Sequence, residues 1–170
     1  MLAALLAHAD RQRRFKRKMP RIEFSESSII DATPKTLYDI IADYHDGHKQ
    51  ILPPKYFRNL AVHEGGRGAG TKITFEMTVG GKTRTARATI TEPEPGRVLI
   101  ETYDDGIVTK FIVDPIDDSK RARVTFHTTW TKPGIAGYIE RLLVPGLLRP
   151  IYIEEQKRLA DVAKKVSNSR

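Results

Sequence analysis

Cysteine is absent from the 170 residues of the chain. Its absence excludes disulfide bridges, cysteine-based zinc sites and thiol catalysis, and it is compatible with a reducing compartment. Long hydrophobic runs are also missing, because the apolar stretch at the start, within MLAALLAHA, is far shorter than the roughly 20 residues of a membrane-spanning helix. The length nevertheless allows a substantial core, since a domain of this size buries roughly 70% of its unfolded surface. We therefore expect one cysteine-free cytoplasmic domain without a structural metal.

Acidic residues are scarce in one segment only. The chain carries 29 Lys plus Arg against 21 Asp plus Glu, a net charge of +8. Residues 1–18 hold six basic residues and one acid, so the remainder has 23 basic and 20 acidic residues, a net charge of +3. The body is nearly balanced and has no basic stripe or interleaved stacking platform, so we do not expect nucleic-acid binding.

The basic segment 1–18 admits several interpretations. Its apolar part precedes its basic part, the reverse of a secretory signal. Leu2, Leu5 and Leu6 recur at helical spacing, so the segment could lie on an anionic membrane or dock on a partner. It could instead be a mobile leader, a targeting peptide, or a stretch upstream of a start at Met19. We treat residues 1–18 as a leader, with peripheral membrane contact open, and residues 19–170 as the domain.

The body reads as an α+β arrangement. Ile22 and Phe24 begin an alternating strand, and Thr33 with Pro34 forms a helix start. A second short helix is predicted at residues 47–52. Alternating strands joined by turns such as Gly80-Gly81 then bring the count to about seven, which predicts an antiparallel sheet.

A helical tail follows Pro133-Gly134. We expect a break at Pro145-Gly146, with a new helix beginning near residues 147–150, because a proline inside a helix removes a hydrogen bond. The second part would be roughly 30 Å long if it runs about 20 residues, enough to cover the apolar sheet face. A cavity between sheet and helix is the expected result.

The sequence resembles the START-like, or SRPBCC, superfamily, which includes the polyketide cyclase/dehydrase group. The carriers are RIEFSESSIIDATPKTLYDIIADY, ILPPKYF, GGRGAGTKITFEMTVGG, TEPEPGRVL, and TKFIVDPIDD leading into TFHTTW, so the resemblance spans residues 20–167. It implies a helix-grip fold with a cavity for apolar ligands such as lipids, sterols or aromatic polyketides. No catalytic signature defines this superfamily.

Candidate ligand contacts come from the predicted inner faces. Gln156 interrupts the apolar helix face, where it either bonds to the sheet or a buried water, or orients a ligand. Glu101 and Tyr103 share a parity that the sequence does not assign to either face, and Arg84 either enters the cavity or is exposed. The predicted ligand-binding residues are Phe75, Met77, Tyr103, Phe111, Trp130, Tyr138, Tyr152 and Gln156.

Other chemistries find little support. GGRGAG opens a strand rather than a helix, so we interpret it as a turn at the cavity mouth and not a phosphate loop. His45, Asp46 and His48 lack a further ligand at suitable spacing, so we assign them to helix-end polarity and predict no metal or cofactor.

The leading hypothesis is binding of a hydrophobic small molecule. The alternatives are a cyclase/dehydrase-type enzyme that uses Glu101, Tyr103, Arg84 or Gln156, and a membrane-associated lipid-handling domain anchored by residues 1–18. The oligomeric state stays open.

Overall fold

The computed structural model describes residues 20–168. The predicted leader, residues 1–18, lies outside the described residues. Within them the chain forms a seven-stranded antiparallel sheet, two short helices after the first strand and one long C-terminal helix. The strand order is β1-β7-β6-β5-β4-β3-β2. The predicted helix-grip fold is confirmed. The strands are β1 Arg21–Ile30, β2 Phe57–Glu64, β3 Lys72–Val79, β4 Lys82–Glu94, β5 Val98–Tyr103, β6 Val108–Ile116 and β7 Arg121–Thr131; the helices are α1 Pro34–Ala42, α2 Gly47–Ile51 and α3 Ile135–Asn168.

The helix start at Thr33 forms as predicted. The Thr33 side chain accepts a hydrogen bond from the Thr36 amide at 3.2 Å, and Pro34 occupies the first turn. The Thr33 oxygen thereby accepts from one of the free amides at the start of α1. Pro34 has no amide hydrogen, so it leaves no donor without an acceptor. The buried residues of α1, among them Leu37 and Ile41, then anchor it on the core.

The long helix corrects one expectation. The predicted break at Pro145-Gly146 is wrong, because α3 runs from Ile135 to Asn168 with both Pro145 and Pro150 inside it. Val144, Leu148 and Ile151 flank these prolines and are buried in the core. Their burial offsets the missing backbone hydrogen bonds, so packing keeps the chain helical where local preference alone disfavours it. Among the described helices, none combines the length and apolar character that crossing a bilayer requires.

The glycine-rich turn, residues 65–70, also lies elsewhere than expected. It packs beside the end of α1: the Gly68 amide donates to the Ala42 carbonyl, and the Tyr44 amide donates to the Gly66 carbonyl, each at 2.9 Å. A β-carbon on Gly66 would lie 1.9 Å from His45 Nε2. The absence of a side chain at Gly66 therefore leaves room for the His45 ring, and residues 65–70 are not among those that line the cavity.

Candidate functional site

A cavity of about 570 Å³ lies between the inner face of the sheet and α3. Its mouth is at the sheet end formed by the β3–β4 hairpin, the β5–β6 turn and the end of β7, where Arg84 and Asp105 form a partly exposed ion pair. The apolar part of the lining comes from strands across the inner face of the sheet, from α3 and from the residue that follows α2. Its members include Leu52, Phe57, Leu60, Phe75, Met77, Val79, Ile107, Phe111, Trp130, Val144, Leu147, Leu148 and Tyr152.

The cavity brings together most of the residues predicted to contact a ligand, namely Phe75, Met77, Tyr103, Phe111, Trp130 and Tyr152. Two others are not among the lining residues. Tyr138 is 49% exposed. Gln156 is buried, and its side-chain amide donates a hydrogen bond to the backbone carbonyl of Glu26 on β1 at 2.9 Å. Of its two predicted roles, the structure shows the first, a bond to the sheet. That the lining residues contact a ligand stays a prediction.

A polar row crosses the apolar inner face. Glu101 on β5 pairs in register with Thr109 on β6, which pairs with Thr128 on β7. The two threonine hydroxyls are 2.8 Å apart, and the Thr128 hydroxyl also bonds to the Tyr152 hydroxyl of α3. Burial raises the pKa of Tyr152, which keeps its hydroxyl protonated. Strand pairing thus places polar groups from the sheet and the helix around one point of the cavity.

Glu101 is the centre of this polar group. It is 2% exposed and accepts hydrogen bonds from the Tyr44 hydroxyl at 2.7 Å and from the Tyr103 hydroxyl. Each tyrosine serves a different carboxylate oxygen, which compensates for the cost of burying charge. Burial, and then the nearby Glu101 charge, raise the pKa values of Tyr44 and Tyr103. Both phenols therefore remain donors, and the structure resolves the parity of β5 by placing Glu101 and Tyr103 inside.

His48 completes the group from the α2 side. Its ring stacks on Tyr44 with centroids 4.3 Å apart, and its Nδ1 lies 2.7 Å from the Ile41 carbonyl oxygen. A carbonyl only accepts, so Nδ1 carries the hydrogen. This leaves Nε2 facing the Glu101 Oε1 atom at 3.7 Å inside the cavity. This 3.7 Å separation is longer than a hydrogen bond, so His48 contributes a polar ring nitrogen beside Glu101 without bonding to it directly.

Glu155 is a second buried carboxyl group in the cavity, on α3. Burial raises its pKa well above the ordinary 4.5, and the negative charges of Glu101 and then Glu154 raise it further. A carboxyl group whose charged form is disfavoured in this way keeps its proton and can donate a hydrogen bond. The cavity therefore combines Glu101, which accepts hydrogen bonds, with Glu155, whose neutral form is favoured and can donate one.

Residues 21–164 match the sequence model of the family described as polyketide cyclase/dehydrase and lipid transport. The chain belongs to this family. The match covers nearly all of the residues that the structure describes. No protein with a curated description matches significantly.

Solved structures share the fold of this family member. KanY, known from a solution structure, is 27% identical with a TM-score of 0.72, covering 86% of this chain and 99% of its own. The Zhui aromatase/cyclase from Streptomyces sp. R1128 is 13% identical with a TM-score of 0.67, covering 86% and 95%. Norcoclaurine synthase from Thalictrum flavum, in complex with dopamine and hydroxybenzaldehyde, is 10% identical with a TM-score of 0.68, covering 89% and 91%. At such low identity the last two show the fold alone.

Sequence reasoning missed several polar members of the site. His48 was assigned to helix-end polarity, whereas it is 3% exposed and faces Glu101. Glu155 had a readable signal, because Leu148, Tyr152, Glu155 and Leu159 recur at spacings of four, three and four on one helix face. The link between His48 and Glu101 had no local signal, since it joins residues on different elements.

Proposed function

We propose that the protein binds a hydrophobic small molecule, of a lipid, sterol-like or aromatic polyketide-like kind, in the cavity between the sheet and α3. One observation carries this proposal: a single cavity of about 570 Å³ combines an aromatic and aliphatic wall with a buried polar group. Ligand pockets of about 300 to 1,000 Å³ with a few convergent polar groups are typical of small-molecule sites. The family match agrees with this class of ligand.

The polar group defines how such a ligand would be oriented. Glu101 accepts from two tyrosines, but each carboxylate oxygen has capacity for another donor. Glu155, in its protonated form, offers a donor in the same cavity. A mainly apolar molecule that carries both a hydroxyl and a carbonyl group would satisfy both residues, because the hydroxyl donates to Glu101 and the carbonyl accepts from Glu155. The hydrocarbon part of the molecule would lie along Phe75, Phe111 and Trp130.

Binding is tested by native mass spectrometry of the purified protein and by thermal shift across a panel of lipids and aromatic compounds. We expect a retained ligand or a raised melting temperature with some of the panel. Met77→Trp fills part of the cavity from β3 and should weaken binding at least tenfold. Thr78→Trp adds the same ring to the next residue of that strand, on the opposite face, and should not. The proposal would be contradicted if the purified protein retained no ligand and no compound of the panel raised its melting temperature.

A second candidate function is cyclase/dehydrase-type catalysis. It is favoured by the two buried carboxyl groups of one cavity, whose surroundings keep Glu155 protonated and surround Glu101 with donors. In a dehydration, Glu101 would take the proton from the carbon next to a ketone. The electron pair left on that carbon would form a carbon–carbon double bond as the carbon–oxygen bond of the β-hydroxyl group breaks, and Glu155 would supply the proton with which that group leaves as water.

The probe for this activity is 4-hydroxy-4-phenylbutan-2-one, which loses water to give an ultraviolet-absorbing enone. We expect the protein to accelerate that loss, and Glu101→Gln to reduce the rate by about a hundredfold or more. Probe binding, followed by thermal shift, should weaken far less than the rate does, because the Oε1 atom of glutamine can still accept a hydrogen bond from the hydroxyl of the probe. This second candidate is wrong if the wild-type protein gives no acceleration, or if Glu101→Gln and Glu155→Gln both leave the rate unchanged. Neither result bears on ligand binding, which the mass spectrometry and thermal-shift experiment tests.

A further inference from the structure

The exposed apolar side chains of the fold are concentrated on one face of α3. Among the residues that the structure describes, every large apolar residue that is exposed lies on this helix, with the exception of Ile29. The face is opposite the buried Val144, Leu148 and Ile151. The outer face of a helix that covers a sheet is ordinarily polar, so an apolar one indicates a second partner. We call this set the outer stripe; its members are Ile135, Tyr138, Ile139, Leu142, Leu143, Leu147 and Ile153.

The area of the outer stripe is that of a protein–protein contact. Leu142 is 81% exposed and Ile135 is 79% exposed, and the exposed fractions of the seven members amount to about four complete residues. This is on the order of 800 Å² of surface, above the roughly 300 to 600 Å² of the largest apolar patch on a typical monomer. A standard interface buries about 800 Å² on each partner. The stripe is therefore large enough to hold one stable partner.

The described side chains of the stripe and its borders offer no isolated charge to a partner. Arg149 projects on this side of the helix, and its Nε atom forms an ion pair with the Glu26 carboxylate of β1 at 3.2 Å. Beyond Ile153 the exposed residues become charged, beginning with Lys157. The pairing of Arg149 within the chain leaves the apolar side chains to select the partner, so a partner with a matching apolar surface is favoured.

A coiled-coil spacing runs along the centre of the outer stripe. Steps of four and three positions alternate, which is the spacing of the a and d positions where two helices meet side by side. Four of the six positions are isoleucine or leucine. The central positions are Ile135, Ile139, Leu142, Gly146, Arg149 and Ile153. The stripe is therefore patterned for another helix rather than for a flat surface.

Leu142 and Gly146 form a protrusion and a gap one helical turn apart. Leu142 is the most exposed member of the stripe, and a β-carbon on Gly146 would have no atom within 4 Å. If two copies of α3 run antiparallel about a two-fold axis level with Val144, each Leu142 lies against the partner's Gly146. The same axis places Ile135 opposite the partner's Ile153. The protrusion of each copy thus fits the gap of the other, which makes the stripe complementary to itself.

We propose that the partner of the outer stripe is a second copy of this chain, joined through an antiparallel pair of α3 helices. A two-fold contact uses the same surface on both subunits, so one stripe with its own protrusion and gap is sufficient. Leu147 belongs to the stripe and also lines the cavity, so this contact would border the cavity mouth. The pairing does not depend on what the cavity holds.

The first test is the mass of the full chain in solution, measured by light scattering over about 1 to 200 μM because pairing follows mass action. We expect twice the mass of one chain at the upper concentrations. Ile139→Glu/Leu142→Glu buries charges in the contact and should raise the dissociation constant at least a hundredfold. Gly146→Leu fills the gap and should raise it at least tenfold, although leucine favours a helix more than glycine does. Ile29→Glu, on the exposed side of β1, is the matched control and should pair like the wild type.

The second test determines how the two helices are aligned. Because the chain lacks cysteine, Ile135→Cys and Ile153→Cys each add a single thiol. The two positions are opposite each other in the antiparallel pair, whereas two copies of position 135 are 18 positions apart along the axis, roughly 27 Å. A disulfide needs Cα atoms within about 7 Å. Oxidation of an equal mixture of the two variants should therefore form a linked dimer at least tenfold faster than oxidation of either variant alone.

The proposal is overturned if the full chain keeps the mass of one chain at the highest concentration. Binding of such a monomer to phosphatidylcholine vesicles, lost in the Ile139→Glu/Leu142→Glu protein, would assign the stripe to a lipid surface instead. The proposal is also overturned if this double substitution leaves the dissociation constant of the dimer unchanged. A linked dimer that forms from Ile135→Cys alone as fast as from the mixture would exclude the antiparallel alignment.

Discussion

Glu101 and Glu155 line the same cavity, but different surroundings give their carboxyl groups different properties. Glu101 accepts from the hydroxyls of Tyr44 and Tyr103 and faces His48. Glu155 experiences burial together with the charge of Glu101, and its pKa is raised in consequence. Pairs of titratable groups separated in this way are typical of sites where one residue donates and another accepts. The residue-scale chemistry of the cavity follows from these contacts.

The raised pKa of Glu155 predicts a pH-dependent stability. Below about pH 4.5 both the folded and the unfolded chain keep this proton. Above that pH the unfolded chain releases it and the folded chain retains it, so the free energy of unfolding falls as pH rises, by at most about 1.4 kcal/mol per unit. Glu155→Gln removes this dependence. Urea unfolding at pH 5 and pH 8 should therefore show the variant gaining on the wild type as pH increases.

Glu154→Gln is the control for this measurement. Glu154 is the preceding residue, and its side chain is 40% exposed. Its substitution removes the last-ranked cause of the raised pKa of Glu155 but leaves burial, the largest one, so the pH slope should stay close to that of the wild type. Parallel pH curves for Glu155→Gln and the wild-type protein would contradict the assignment of a retained proton to Glu155.

At the scale of elements, α3 combines three roles in one helix. Its inner face closes the cavity, its outer face exposes apolar side chains between Ile135 and Ile153, and its beginning packs against Lys132 and Pro20, which are neighbours at one end of the β1–β7 pair. Gly137 is at that point: a β-carbon there would lie 2.2 Å from the Lys132 carbonyl oxygen and 2.7 Å from Pro20 Cγ. Gly146, in the same helix, has open space where its β-carbon would stand.

These two glycines should respond in opposite directions to alanine. Gly146→Ala should raise the free energy of unfolding by about 1 kcal/mol, since alanine favours a helix over glycine. Gly137→Ala should lower it despite the same gain in helix propensity, because a backbone oxygen cannot yield as a flexible side chain does. Urea unfolding of both variants measures the difference. A Gly137→Ala protein as stable as the Gly146→Ala protein would show that α3 does not approach Lys132 and Pro20 as described.

At the scale of the whole molecule, the cavity separates the two layers that form the core. The residues that line it come from strands β2 to β7 as well as from α3, so a ligand there would contact both layers. Its binding energy is therefore available only while the sheet and the helix are packed together. Trp130, the single tryptophan of the chain, lines the cavity, so its fluorescence reports on what enters.

We expect the dye 8-anilinonaphthalene-1-sulfonate to quench Trp130 emission and to stabilise the whole fold. At about one hundred times the dissociation constant the gain should be about 2.7 kcal/mol, with an unchanged dependence of unfolding free energy on urea. The Ile139→Glu/Leu142→Glu protein is the control, since it lacks the apolar exterior of α3 but keeps the cavity. Quenching without stabilisation, or stabilisation lost in this control, would place the dye outside the cavity.

The sequence predicted the elements well because their signals are local. Alternation along Lys72–Val79, the cap at Thr33 and the glycine turns each depend on neighbouring residues, and together they led to the helix-grip fold. The continuity of α3 was not predictable from Pro145 and Pro150, because the burial of Val144, Leu148 and Ile151 outweighs the local preference of proline.

By itself the sequence determined the strands, the turns, the single apolar sheet face, the covering helix and the family resemblance. Only the tertiary structure decided which face Glu101 joins, because apolar residues occupy both parities of β5 and pairing with Thr109 chooses between them. It also brought His48 close to Glu101, although the two residues are 53 positions apart in the sequence. It turned Gln156 to the Glu26 carbonyl and Glu155 to the cavity. Local patterns specify backbone geometry, whereas a polar site is made by groups that meet only when the layers close.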